Sequence, residues 1–127
     1  MFKKNQTNIY VFDPINEKMV LSAMLSDYNV RRRLCSELST NDFYVKQHKI
    51  IFDTLKTLDN KNAKYNEDTF IVECKHDQTE YGGVKFLREL EELFIPNNEN
   101  VDLHIKYLKE DSIRASVYSN EYLRLGQ

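Results

Sequence analysis

Apolar residues recur at helical spacing along almost the whole chain. The first stripe follows Asp13-Pro14. Asp is a favoured N-cap, and Pro at the first helical position lacks only a donor that would be orphaned there anyway. Ile15, Met19, Ala23 and Met24 then keep helical steps, and Val20, Leu21 and Leu25 widen the stripe. The pattern predicts a deeply buried helix running to about Asp27. Asn29 is positioned to cap a short second helix with Val30, Leu34 and Leu38 inward. Ser39-Thr40-Asn41-Asp42 is a polar break. Tyr44, His48, Ile51, Phe52, Leu55 and Leu58 follow in steps of three and four, the clearest amphipathic helix in the chain, and Asp59-Asn60-Lys61-Asn62 ends it.

Asn66 can cap a further helix containing Phe70, Ile71 and Cys74, with Glu67 and Asp68 favourable in its first turn. Tyr81-Gly82-Gly83 punctuates. Val84, Phe86, Leu87, Leu90, Leu93 and Phe94 form a broad stripe that Pro96-Asn97-Asn98 stops. From Asn100 to Leu125 no Gly or Pro intervenes. One face there carries Val101, Ile105 and Leu108. The later part carries Ile113, Val117, Tyr118, Tyr122 and Leu123 on more than one side. A helix of about 24 residues there spans about 36 Å, more than the diameter of a head this size, so its C-terminal half is expected to project. Val117, Tyr118, Tyr122 and Leu125 are the candidate oligomer or partner interface.

Composition narrows the class. The 127 residues hold three Gly and two Pro, too few for the tight turns of an all-β fold, so an all-α domain is expected. With 41% hydrophobic and 30% charged residues, the chain is neither a disordered tail nor a low-complexity linker. No apolar run approaches the roughly 20 residues of a membrane span, and no signal-peptide core follows Met1. Two distant Cys fit free thiols in a reducing compartment, hence a cytoplasmic protein. The net charge of −2 argues against a strong nonspecific nucleic-acid binder. Residues 1–50 carry eight Lys/Arg against five Asp/Glu, and residues 51–127 carry ten against fifteen. The one tight basic cluster is Arg31-Arg32-Arg33. Consecutive residues cannot share one helix face, so one reading is that some of these are simply solvated; the other is that Arg31, Arg32 and Arg33 are a candidate basic contact to a partner or to DNA.

Little chemistry is visible. Gly82-Gly83 is followed by no Gly-Lys-Ser/Thr, so no phosphate loop and no cofactor site is expected. Cys74 and His76, two apart, point about 200° apart on a helix and cannot grip one ion; Cys35, His48 and His104 are scattered, and no metal site is expected. Glu91-Glu92 and Glu110-Asp111 read as solvated helix faces. His48, on its helix's apolar stripe, reads as a hydrogen-bonded, partly buried histidine rather than a catalytic one. No catalytic residue is assigned.

The order of the motifs says more. Asp13-Pro14-Ile15-Asn16-Glu17 through Met19-Val20-Leu21-Ser22-Ala23-Met24-Leu25 resembles the opening helix of the amino-terminal domain of DnaB-type replicative DNA helicases, with Ser22 where that family has Gly. Asp42-Phe43-Tyr44, His48 and Ile51-Phe52 resemble its acidic-Phe-Tyr, His, Ile-Phe segment. Gly82-Gly83 with Phe86-Leu87 and Leu90 resembles its Gly-Gly segment. Ile95-Pro96, Asn100, Tyr107-Leu108 and Arg114 resemble the stretch leading into its helical hairpin. The resemblance spans residues 13–116.

The resemblance implies an extension over 1–12, a helical head of about five helices over 13–98, and a projecting helix over 99–127 that is the first arm of an incomplete hairpin. It implies a non-catalytic domain of an ATP-dependent helicase, acting in ring oligomerisation and in docking primase and a helicase loader, with weak or no direct DNA binding and no membrane contact. Without the returning arm, a monomer or weak dimer is expected. The alternative is a free-standing adaptor or inhibitor of the same fold that binds a helicase or primase. A single-strand DNA-binding module using Arg31–Arg33, Lys46 and Lys49 is disfavoured by the acidic second half, and a small enzyme has no supporting constellation.

Overall fold

The computed structural model describes residues 14–94 and 100–125, and side chains at 14–94 and 100–114. Every regular element among the described residues is helical: α1 (Pro14–Ser26), α2 (Tyr28–Glu37), a 3-10 turn (Thr40–Asp42), α3 (Lys46–Asn60), α4 (Glu67–Glu73), α5 (Gln78–Tyr81), α6 (Gly83–Glu92) and α7 (Asn100–Leu125). The all-α class and the long last helix stand as expected. The Asp13 cap, the Pro96 stop, the 1–12 extension and the Val117, Tyr118, Tyr122 and Leu125 side chains lie outside the described residues.

α1 is the axis of the head. Val20, Leu21, Ala23, Met24 and Leu25 are all buried, while Ile15 in its first turn, expected inward, is 41% exposed; α2, α3, α6 and α7 pack around the apolar stretch. The joint into α2 is a single residue. Asp27, rather than the expected Asn29, caps α2: its carboxylate accepts from Asn29 N at 2.9 Å and Val30 N at 3.2 Å. Both residues are good caps, but only Asp27 has the extended backbone the position needs. The polar break after α2 is ordered. Asp42 accepts from Ser39 N at 2.9 Å, and the Thr40 hydroxyl donates to Asp53.

α3 buries Ile50, Ile51, Phe52, Leu55 and Leu58. Tyr44 is not part of its stripe; it precedes the helix and is 62% exposed. Asn66 caps α4 as expected, accepting from Thr69 N at 2.9 Å. That helix buries Phe70 alone, while Ile71 is exposed and Cys74 lies just past its end. The punctuation at 81–83 proves to hold the extra one-turn helix α5, capped by Asp77. Gly82 between α5 and α6 has φ 99°, and a Cβ there would sit 2.7 Å from Phe86 Cβ. Leu87 and Leu90 of α6, and Ile105 and Leu108 of α7, close the core, with Val101 packed against it. Ring contacts tie its parts together, Phe43 to Phe52 at 5.0 Å and Phe70 to Tyr81 at 5.2 Å between centroids.

Candidate functional site

Two adjacent residues of α1 organise the polar interior. Glu17, buried, receives Tyr44 N at 2.7 Å, Val45 N at 3.3 Å and His48 Nδ1 at 2.7 Å. Val45 is the N-cap of α3 and has no side-chain acceptor. A carboxylate from another helix therefore takes the capping role, at the end where the helix dipole favours negative charge. His48 is fully buried rather than partly so, and its ring stacks parallel on Phe86 at 6.0 Å. Next door, Asn16 Oδ1 meets His104 Nδ1 at 2.9 Å. One turn of α1 thus ties down both α3 and α7. Sequence reading placed His48 on the apolar face but missed its partner. The signal was present: Glu17 is the one acid inside an apolar helix.

The three arginines point to different surroundings, with Tyr28 shared by Arg31 and Arg32. Arg31 is buried, donates to the Met24 carbonyl at 2.7 Å, and lies over the Tyr28 and Tyr65 rings at 5.4 and 6.0 Å. Burial lowers its pKa, opposed by the fields of Cys35 and Asp59. Arg32 pairs with Asp59 at 3.3 Å and contacts Tyr28. Arg33 pairs with Asp102 at 2.9 Å and Glu37 at 3.2 Å, so it ties α2 to the start of α7. Arg32 and Arg33 remain about half exposed.

The candidate reactive groups do not converge. Burial pushes the Cys35 thiol up to about 11, with a smaller push from Asp59. Burial and the hydrogen bond to Glu91 likewise push the Tyr65 phenol up, so Glu91, read as solvated, is an internal acceptor. His76 pairs with Glu80 beside it at 3.3 Å. Among the described residues no group of three or more His, Cys, Asp or Glu could hold a metal ion. No helix of the described residues is long and apolar enough to cross a membrane.

The surface is more informative at α7. Its first turns are held by Val101, Ile105 and Leu108, by the His104–Asn16 bond and by Arg33–Asp102. Ser112 Oγ reaches the Asn41 carbonyl at 3.5 Å. Leu103 and Tyr107, one turn apart, are 42% and 41% exposed, and Ile113 is 64% exposed. Periodicity had assigned α7 its inward face correctly. The outward pair had gone unmarked.

Comparison with known proteins places this arrangement. Residues 12–110 match the family model described as DnaB-like helicase N-terminal domain. The crystal structure of the N-terminal domain of DnaB helicase from Mycobacterium tuberculosis superposes with a TM-score of 0.75, covering 91% of this chain and 84% of that one at 20% identity. At that identity the superposition speaks for the fold. A search of curated proteins found no match.

Proposed function

The chain belongs to the family of DnaB-like helicase N-terminal domains, and from that premise we propose that it serves DNA replication as the non-catalytic collar domain of a replicative helicase. Its work is protein contact. It supports ring assembly by self-association and docks primase and the helicase loader in the cytoplasm. The observation that carries this reading is the two-faced last helix. One face of α7 is spent on the core of the head, and the other keeps Leu103 and Tyr107 in solvent. A second apolar face asks for a second protein surface. In this reading the C-terminal half of α7 leaves the head, and Val117, Tyr118, Tyr122 and Leu125 extend the contact. Arg32 and Arg33 offer DNA only a weak contact, because each is already paired with a carboxylate.

Calorimetric titration of the chain with the primase from the same source tests the docking role. Saturable binding is expected, and no heat with primase or loader would sink it. The adaptor alternative is separated by adding the chain to an intact helicase. A changed ATPase rate favours an adaptor or inhibitor. An unchanged rate, with an open reading frame running past the Gln127 codon into a phosphate loop, favours the collar.

A further inference from the structure

We propose that the head carries a separate docking slot, between the end of α3 and α4, that takes one apolar side chain of a partner protein flanked by lysine or arginine. Leu58, Ala63, Asp68, Thr69, Val72 and Glu73 line a cavity of about 200 Å³ there. Leu58 is fully buried and forms its floor. The Thr69 hydroxyl is already engaged, with the carbonyls of Lys64 at 2.9 Å and Asn66 at 3.0 Å and with Asn66 N at 2.9 Å. Val72 stands at the lip, 78% exposed, and Ile71 beside it is exposed too. Single exposed aliphatics are ordinary. Here two β-branched ones in succession occupy a seven-residue helix that buries Phe70 alone, next to a concave apolar surface. The volume is below the roughly 300–1,000 Å³ of a small-molecule site, so the slot fits one side chain of a larger partner. No α7 residue lines it, so the inference does not rest on the reading of that helix.

Charge selects what stands beside that side chain. Residues 58–73 carry four carboxylates against two lysines. Glu73 is paired with Lys61 at 2.7 Å and Glu67 with Arg88 at 2.9 Å. Asp68 forms no ion pair among the described residues, and it lines both the apolar slot and the adjoining cavity that holds Glu67 and Glu91. Glu91 there accepts the Tyr65 hydroxyl at 2.7 Å. Leu58 lies in the last turn of α3, the end where a helix dipole is negative and favours a cation. Among the described residues no carboxylate cluster could hold a metal ion, so the field calls for side-chain cations. With an apolar anchor in the slot, a lysine or arginine next to it in sequence reaches Asp68 in a charge-assisted hydrogen bond. An acidic neighbour in that place would be repelled.

Selection from a random peptide library displayed on phage, against the whole chain, tests this. The enriched peptides are expected to pair one Leu, Ile, Phe or Tyr with an adjacent Lys or Arg. A synthesised peptide of that kind should shift the methyl resonances of Val72 and Ala63. It should bind Val72→Asp about tenfold or more weakly, with an unchanged helical CD spectrum, since that side chain is in solvent. Asp68→Asn should weaken it about threefold and flatten its salt dependence. The double variant Leu103→Ser/Tyr107→Ser should bind it as the wild type does. An empty selection, enriched peptides without basic residues, or equal binding to Val72→Asp and the wild type would overturn the slot and leave the reading of α7 standing. Binding lost in the Leu103→Ser/Tyr107→Ser variant instead would move the contact to α7 and overturn the slot as well.

Discussion

Glu17 is a capping residue supplied from a distance. Its carboxylate is the common acceptor for two backbone N–H groups and the buried His48 ring. Removing one member of such a pair strands the others without an acceptor, which costs far more than the pair contributes net. Glu17→Ala should therefore lower stability by about 3–5 kcal/mol, read from urea unfolding. Its effect should also be strongly non-additive with His48→Ala; additivity within about 0.5 kcal/mol would show that the two side chains are not coupled. Ser22 is the opposite case. Its hydroxyl is buried and has no hydrogen-bond partner among the described residues. Ser22→Ala removes a desolvated group at almost constant shape, so stability should hold or rise by up to about 1 kcal/mol. A loss greater than that would mean the hydroxyl is satisfied after all.

At the scale of elements, the short helices depend on their ends. α4, α5 and α6 are each too short to persist on propensity, and they are set by Asn66, Asp77 and Gly82. Gly82 is doubly constrained, by its positive φ and by Phe86 beside it. Gly82→Ala should cost about 2 kcal/mol or more, seen as a lower thermal midpoint; a neutral effect would refute the tight α5–α6 corner. α3 is held instead by its apolar face. Phe52 is fully buried against Phe43, so Phe52→Ala should cost about 3–5 kcal/mol, and a cost below about 1 would overturn the orientation of that helix.

At the scale of the whole molecule, the described residues form a head centred on α1 and a 26-residue helix that packs on it. Among the described residues Val101, Ile105 and Leu108 and a few polar ties hold that helix to the head, and the apolar surface left exposed on it there, at Leu103, Tyr107 and Ile113, is small for a stable ring interface. The chain should therefore run as a monomer in weak equilibrium with a dimer. Light scattering that found a stable hexamer at micromolar concentration would contradict this.

The helices were legible wherever a run of apolar residues kept a helical period over several turns. α1, α3, α4, α6 and the inward face Val101–Ile105–Leu108 follow from spacing, and the Asn66 cap follows from a side chain acting on its own backbone. Such signals are local, and a chain carries them without folding. α5 escaped because one turn has no period to detect, and Asp27 displaced Asn29 because backbone conformation at a corner decides between two able caps. Tyr44 was read into a stripe that α3 starts too late to include. Most of all, no spacing rule pairs Glu17 with His48, Asn16 with His104, or Arg33 with Asp102. These partners lie 31, 88 and 69 residues apart. By itself the sequence determined which of the longer segments are helical and most of the faces that turn inward, since burying an apolar stripe is a requirement of each segment alone. Only the tertiary structure decided which polar groups meet inside the head and which apolar residues of α7 remain outside, because both depend on where distant helices come to rest against one another.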